Sequence, residues 1–438
     1  MFKHLLLRLY RRVFKISHWM TVHFTSIGHI ALVLLLMSAV FGVDTKASST
    51  SQLFVFLLMV FIAALFSSLF NRLKADIKRN LPQYATVGEP LIYSVSLNNQ
   101  TKKNYHDLVY IEQLKETLPS YSELQTFYKT KRFISFRQWR RYIVYQRGGY
   151  INEYPLSFIA AKQSANLKVS FTPLRRGKLL FTGAYLAKPD LLGLFRRLYF
   201  AQQGQSCLVL PKRYTIAPLQ LTGKRQYQSG GVTLANSVGN SSEFMALRDY
   251  RQGDAMNQIH WKSFARHGKL IVKEYQDEYF VRRALVLDTD ADTLAVELFE
   301  VAVSVAASLV MSERDNEALL DLMFVGNEAY RFTSGRGIDQ MQHLQEILAS
   351  VQASDAESFT RLAQAVNEHS QQCSSLVCVL LHWDKQRQDF CKALAAQGIT
   401  FAVFLIHDGS LIEAELVNKP ENCYLINSHQ IAEDLASV

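Results

Sequence analysis

At 438 residues the chain exceeds one ordinary domain, so two or three folded units are expected. An apolar fraction of 49%, with 20% charged residues and nine prolines, excludes a disordered chain and leaves material for packed cores and membrane segments alike. The net charge of +10 sits mostly at the amino end, where residues 1–80 hold ten lysines and arginines against two aspartates. The basic excess therefore follows topology, and nucleic acid is not expected as a partner.

Five cysteines (Cys207, Cys373, Cys378, Cys391 and Cys423) make an odd number with no C-x-x-C pair. Neither a zinc site nor a disulfide framework is indicated, and core thiols in a reducing compartment are the simpler reading.

Two stretches lack formal charge, Ile27–Val43 and Leu53–Phe70, of 17 and 18 residues. Each reaches the short end of what crosses a hydrocarbon core of roughly 30 Å. With the interfacial His18, Trp19 and His23 ahead of the first, the expected spans are residues 24–43 and 53–70. The polar link between them is so short that they must form a hairpin. Five basic residues precede the first span and four follow the second (Arg72, Lys74, Lys78 and Arg79), whereas the link has Lys46 alone. That bias places both flanks in the cytoplasm of a bacterial-type inner membrane, with everything after Arg79 on the same side. A cleaved signal peptide is the competing reading of the first span; the second apolar run that follows at once argues against it.

Residues 81–211 change to short alternating runs: Leu91–Leu97, Leu108–Ile111, Tyr154–Phe158, Leu167–Phe171, Leu179–Phe181 and Cys207–Leu210. Such strands with few helices between them predict an antiparallel β-sandwich. Within this region, residues 127–150 hold Lys129, Lys131, Arg132, Arg137, Arg140, Arg141 and Arg147 among aromatics, with no acid between Glu123 and Glu153. Lys131, Arg132, Arg137, Arg140 and Arg141 are candidates for binding an anionic surface. Nucleobases, lipid headgroups and an acidic partner all fit that chemistry, and two spans nearby make membrane lipid the nearest anion. The plainer alternative is a β-hairpin with aromatics inward and cations outward.

Residues 212–283 contain the densest mixture of charge and aromatics. The runs Glu243–Asp254, Ile259–Lys262, Ala265–Arg266 and Gly268–Glu274 resemble the signature of the domain-of-unknown-function 58 family. Its matching residues are Arg248, Tyr250, Gly253, Asp254, His260, Trp261, Lys262, Arg266, Lys273 and Glu274. Met256–Asn257 departs from the Pro and Arg common at that point in the family. More diffuse similarity extends upstream to Arg175–Gly177 and Pro189–Phe195. His260, beside Lys262 and near Asp249 and Asp254, is either a general base or a structural hydrogen-bonding residue.

From 284 to 438, strand-like runs (284–288, 320–325, 376–381, 401–406) alternate with helical stretches (294–312, 338–351, 356–369, 384–396). The pattern predicts an α/β domain with a mostly parallel sheet covered on both faces. It resembles the von Willebrand factor A-like domain that often completes proteins of this family. That resemblance implies Mg²⁺ held by an Asp-x-Ser-x-Ser run; here the run is Asp288-Thr-Asp-Ala-Asp292, with Asp290 and Asp292 in place of the serines. Asp384 could supply a later acid, and Thr333 and Ser334 are candidates for a threonine ligand. Three carboxylates suit a hard cation but would neutralise it towards an acidic partner, and strand-end carboxylates also serve as helix caps.

The full expectation is two transmembrane helices, a β-sandwich-like domain and an A-like α/β domain. The resemblance adds a MoxR-type AAA+ ATPase as candidate partner of a cytoplasm-facing interaction and assembly protein. The alternative is a metal-dependent hydrolase using the Asp288 cluster or the His260 region. No G-x-S-x-G, H-E-x-x-H or G-x-x-x-x-G-K motif occurs, which favours the first reading.

Overall fold

The computed structural model describes residues 2–41, 48–70, 73–128, 134–217, 219, 244–254, 256, 259–275, 282–291, 296–312, 319–326, 328–334, 338–354, 357–409 and 419–438. It divides into two units: Met1–Lys212 with Glu346–Val351, and Arg213–Gln345 with Gln352–Val438.

The first unit opens with helix α1 (Phe2–His23), a break at Phe24 and Thr25, then α2 (Ser26–Phe41) and α3 (Ser48–Phe70). The basic amino end is thus a helix in its own right, and the first apolar helix starts after it, at Ser26. At 1.5 Å per residue, the 16 residues of α2 run about 24 Å and the 23 of α3 about 34 Å. Among the described residues one helix, over Ser49–Ser68, is long and apolar enough to cross a membrane, and Ser26–Phe41 is a shorter apolar one. Ala31, Leu32 and Leu35 of α2 pack with Val60, Phe61 and Ala64 of α3. The link at 42–47 lies outside the described residues.

Strands β1 (Ala75–Asn80), β2 (Tyr84–Thr86), β3 (Leu91–Asn99) and β4 (Tyr105–Leu114) follow. After them come α4 (Tyr121–Tyr128), α5 (Phe136–Arg147), β5 (Glu153–Ile159), β6 (Ser164–Phe171), β7 (Gly177–Pro189) and β8 (Arg196–Leu210). They form a three-stranded sheet, β1-β3-β6, and a five-stranded sheet, β2-β8-β7-β4-β5. Neighbours are antiparallel except β2 and β8. Alternate residues of both sheets enter one core, including Ile77, Val95, Leu97, Leu108, Phe181 and Val209, which makes the pair a sandwich.

Within that core lies an ion pair. Arg79 is bidentate to Glu112, with Nε–Oε1 3.1 Å and Nη2–Oε2 2.6 Å, and donates to Gly183 O at 3.1 Å. Tyr93 and Tyr110 donate their hydroxyls to Glu112 Oε1 at 2.7 and 2.6 Å. Burial, then the charge of Glu112, pushes both phenols well above their ordinary value. Arg79, expected among the cations flanking the membrane, is instead buried in the sandwich, while Lys74 and Lys78 are exposed. Period-2 alternation in β1 turns its side chain inward.

Residues 136–147 form a helix, correcting the hairpin alternative for this segment. Ser135 starts it with a capping box to Gln138, and Gly148, at φ +99°, ends it. Trp139, Tyr142 and Ile143 are buried against Leu7, Tyr10 and Phe14 of α1, leaving Arg137, Arg140 and Arg141 exposed. Aromatics face inward and cations outward as expected, but at helical spacing.

The second unit contains β9 (Phe244–Asp249), α6 (Trp261–His267) and β10 (Ile271–Tyr275), and then β11 (Arg282–Leu287), α7 (Val296–Ser312), β12 (Leu319–Val325) and β13 (Ala329–Ser334). It continues with α8 (Ile338–Ser350, of which Glu346 onwards is grouped with the first unit), α9 (Ser358–His369), β14 (Ser375–Leu380), α10 (Lys385–Ala396), β15 (Thr400–His407), β16 (Cys423–Asn427) and α11 (Ile431–Ala436). β9 and β10 form an antiparallel pair. The other strands build a six-stranded sheet, β13-β12-β11-β14-β15-β16. All pairs in it are parallel except β12 with β13. Ranked along the chain, the order is 3-2-1-4-5-6, which reverses direction between β11 and β14. The four central strands, β11, β12, β14 and β15, are largely buried, as a parallel sheet covered on both faces requires, while the edge strands β13 and β16 are more exposed. Helices α9 and α10 cover the face carrying Ala284, Val286, Leu376 and Val403.

Gly28 at the start of α2 tests the docking of the apolar helices on the sandwich. A Cβ there would fall 2.1 Å from the carbonyl oxygen of Leu194, in the turn between β7 and β8. Gly28→Ala is expected to destabilise the detergent-solubilised chain by roughly 1–3 kcal/mol. Gly204→Ala, whose Cβ would meet nothing within 4 Å, should stay within about 0.5 kcal/mol. Thermal unfolding of the two variants compares them directly, and equal midpoints would remove the close contact at Leu194 from the account.

Candidate functional site

In a sheet of this order, ligand sites form beyond the carboxyl ends of the strands where the order reverses. Here that point lies past Leu287 of β11 and Leu380 of β14, and three of the singled-out acids meet there. Asp288 is anchored by its own N–H to Val379 O at 2.9 Å. Asp290 bridges to Ser354, and Asp384 caps α10 by accepting from Arg387 N at 3.0 Å. The capping alternative thus holds at Asp384. Asp292 lies outside the described residues.

The group these acids share is the Arg387 guanidinium, only 1% exposed. Its Nε and Nη2 donate to Asp288 Oδ2 at 3.1 and 2.9 Å, Nη2 to Asp290 Oδ2 at 2.9 Å, and Nη1 to Asp384 Oδ2 at 2.7 Å. Its carbon sits 4.1 Å from the centre of the Phe359 ring. Asp288 Oδ1 accepts from Asp290 N at 3.0 Å, and Oδ2 also accepts from Leu381 N at 3.3 Å. Burial alone would lower Arg387; the charge of Asp288, with Asp290 and Asp384, outweighs it and leaves the guanidinium above its ordinary value. Burial likewise pushes the Asp288 carboxyl up, opposed by Arg387 and the backbone N–H groups. Four N–H donors on one carboxylate, two of them from Arg387, work against that rise.

This arrangement does not fit Mg²⁺. The oxygens that would face a metal are taken by N–H donors, and the positive charge is already inside the site. Thr333 pairs with Asp321 near the amino end of β12, away from the carboxyl edge that carries Asp288, so register excludes it as a partner. Ser334 is the adjoining end residue of β13. Among the described residues, no group of three or more His, Cys, Asp or Glu side chains is arranged to hold a metal ion.

The signature residues fold as a small module. Arg248 of β9 grips Asp254 with two bonds, Nη1–Oδ2 at 2.7 Å and Nη2–Oδ1 at 2.9 Å, across a turn that Gly253 makes at φ +110°. Asp254 also accepts from Arg251 N at 2.8 Å. Led by the Arg248 bond, these contacts hold the Asp254 carboxyl down to about 2. Tyr250 N donates to Leu270 O at 3.0 Å, and Lys273 and Glu274 lie opposite Leu247 and Ala246 in the strand pair. His260 precedes α6; its N–H donates to Ile271 O at 2.8 Å, and its Nδ1 lies 2.6 Å from Ser263 Oγ. Both groups tie α6 to its own surroundings, which supports the structural reading of His260. Trp261, 58% exposed, stands edge-on to Phe264, and Lys262 and Arg266 are exposed beside it.

Of the anionic-surface candidates, Arg137, Arg140 and Arg141 share the exposed side of α5, and Lys131 and Arg132 lie outside the described residues. All five cysteines are free. Burial pushes Cys207 up to about 11 and Cys391 up to about 12, so neither is a ready nucleophile at neutral pH. Sequence reasoning missed Arg387. Its signal was its place three residues after a helix-capping acid that follows a buried strand.

These features define a parallel-sheet α/β unit with a charge-closed switch point, preceded by a strand–helix–strand module and, in the first unit, by a β-sandwich with apolar helices. Residues 246–416 match the family described as "Protein of unknown function DUF58". The chain is 26% identical over 205 residues to "Uncharacterized protein YeaD" of Bacillus subtilis (strain 168), covering 46% of this chain and 50% of YeaD. It thus spans about half the length of that curated relative. Among solved structures, the CARDB domain of PF1109 from Pyrococcus furiosus, in a complex with di-metal ions, is 11% identical, covering 32% of this chain and 96% of that domain, at a TM-score of 0.19. A solution structure of the same domain is 10% identical over 31% and 93%, at 0.18. At such scores neither structure informs the fold or the site.

Removing the internal cation tests the switch point. Arg387→Met is expected to cost about 3–5 kcal/mol near pH 7, because Asp288 and Asp290 stay buried without it. Burial raises the folded Asp288 carboxyl, and losing Arg387 removes the main charge opposing that rise, so the folded variant takes up a proton more readily than the intact chain as pH falls. The deficit should therefore be smaller at pH 5 than at pH 7. Denaturant unfolding at the two pH values measures this. A deficit that is absent, or that grows on acidification, contradicts the pairing.

Proposed function

We propose that this chain is a membrane-anchored interaction and assembly protein whose folded units face the cytoplasm of a bacterial-type inner membrane. The observation that carries the reading is the exposure of α2 and α3. Beyond the seam between them, apolar side chains point outward on all sides, with Val40 71% and Phe56 65% exposed. A soluble domain does not leave a surface of this extent bare, whereas hydrocarbon solvates it without cost. The start of α2 and the end of α3 meet the same β7–β8 turn, through Thr25 N to Leu194 O at 3.1 Å and Leu191 N to Ser67 Oγ at 3.5 Å. Shared contact at one end supports a hairpin with both flanks on one side, and the exposed cations Lys74 and Lys78 support that side being cytoplasmic.

The carboxyl-terminal unit serves in this reading as a von Willebrand factor A-like recognition domain. A largely parallel sheet between helices, with an antiparallel edge strand, supports it. Recognition at its switch point would proceed without a bridging metal, since Arg387 supplies the charge. A MoxR-type AAA+ ATPase is the candidate partner that comes with the family resemblance. No catalytic role is assigned, because His260 and Asp288 are both engaged within the fold.

Affinity capture on the solubilised full chain tests the partnership. A MoxR-type ATPase from the same cells is expected to be retained with ATP and released with ADP. Equal recovery on control beads, or no recovery with either nucleotide, would set the partnership aside.

A further inference from the structure

Beyond α2 and α3, the first unit exposes two more apolar features. Helix α1 carries three stripes. Leu7, Tyr10 and Phe14 turn onto Trp139 and its neighbours. Leu9, Val13 and Ile16 recur at helical spacing on another face and are exposed, Leu9 at 55% and Ile16 at 59%. Arg8, Arg12 and Lys15, each one position earlier, form an exposed cationic stripe alongside. The second feature is the tip of the β7–β8 turn, where Leu191 is 90% exposed and Leu192 is also exposed.

That tip is held in place. The Asp190 carboxylate accepts from the N–H groups of Leu192, Leu194 and Phe195, at 3.3, 2.7 and 2.9 Å. Phe24, at the junction of α1 and α2, bridges to Phe195. Thr25 Oγ1 donates to Gly193 O, and Leu191 N reaches Ser67 near the end of α3. A rigid turn therefore presents two leucines at the base of the apolar helices. Trp19, exposed and stacked on His23 at 4.8 Å, marks the same end of α1.

We propose that α1 and the Leu191–Leu192 tip form an interfacial collar, lying in the headgroup and acyl boundary of an anionic phospholipid leaflet beside the base of α2 and α3. An apolar stripe next to a cationic one is the pattern of a helix lying in the plane of an interface. Basic side chains near an anionic surface are each drawn to it, and the three on α1 act together. Arg137, Arg140 and Arg141 on α5, which packs against α1, add charge of the same sign. An acidic protein could pair with these cations. Continuity of the collar with α2 and α3, through Thr25 and Ser67, selects lipid. The inference rests on the membrane reading and adds a peripheral layer to it.

Spin labels on the full chain in nanodiscs separate the two. In a Cys423→Ser background, labels at Val13→Cys, Leu191→Cys and Phe56→Cys are placed in discs of phosphatidylglycerol and phosphatidylcholine. All three are expected to be more accessible to oxygen than to a water-soluble nickel chelate. In discs of phosphatidylcholine alone, the label at position 13 should shift towards water; an unchanged depth would overturn the anionic preference. A lipid-exposed label at 56 with water-exposed labels at 13 and 191 would overturn the collar and leave the anchor standing. Shielding of 13 and 191 from both reagents would mark a protein contact and overturn it as well. A water-exposed label at 56 would overturn anchor and collar together.

Discussion

Apolar side chains on every outward side of α2 and α3 impose the constraint from which the rest follows. Their mutual seam includes Ala31, Leu32, Leu35, Val60, Phe61 and Ala64, and much of the rest of their described surface is exposed apolar side chain, which is costly in water. The β7–β8 turn seats both helices at one end, and Gly28 is the residue whose missing side chain lets a carbonyl approach. Four residues separate the end of α3 from the start of β1, which keeps the sandwich close to that end of the helix pair.

Each unit buries a guanidinium against carboxylate oxygen, one carboxylate in the sandwich and three at the sheet end of the second unit. In the sandwich, Arg79, Glu112, Tyr93 and Tyr110 form a satisfied cluster between the sheets. In the second unit, Arg387 draws Asp288, Asp290 and Asp384 to the end of a parallel sheet. Buried pairs of this kind add little net stability against an apolar substitute, but removing one partner alone is costly. Their consequence is definition of shape. Arg387 fixes the loops after β11 and β14 at the edge where α/β sheets present their ligands, and it does so with a covalently held cation.

Much of the architecture was legible because apolar runs carry it. The strands at 91–97, 154–158, 376–381 and 401–406 and the helices at 338–351 and 384–396 all reappear within a few residues. The longer reach of β7 and β8 was hidden because Gln202, Gln203 and Gln205 interrupt the apolar pattern, and the register shifts near Gly183. β13 and β16 are edge strands, where one-sided burial weakens the signal. The segment at 136–147 misled because aromatics and arginines alternate irregularly. Only a period near 3.6 puts Trp139, Tyr142 and Ile143 on one side. At the candidate site the acids were visible and their partner was not. Pairing of Arg387 with Asp288 spans 99 residues and depends on strand order, which local pattern does not encode.

The central claim is that the apolar helix pair fixes the folded units to the inner face of a membrane. Alkaline phosphatase and a fluorescent protein, fused in turn after Val438 in intact bacterial cells, test it most directly. The account predicts a fluorescent, phosphatase-inactive carboxyl terminus recovered in the membrane fraction after carbonate washing. An active phosphatase fusion, or release of the chain by carbonate, would contradict it.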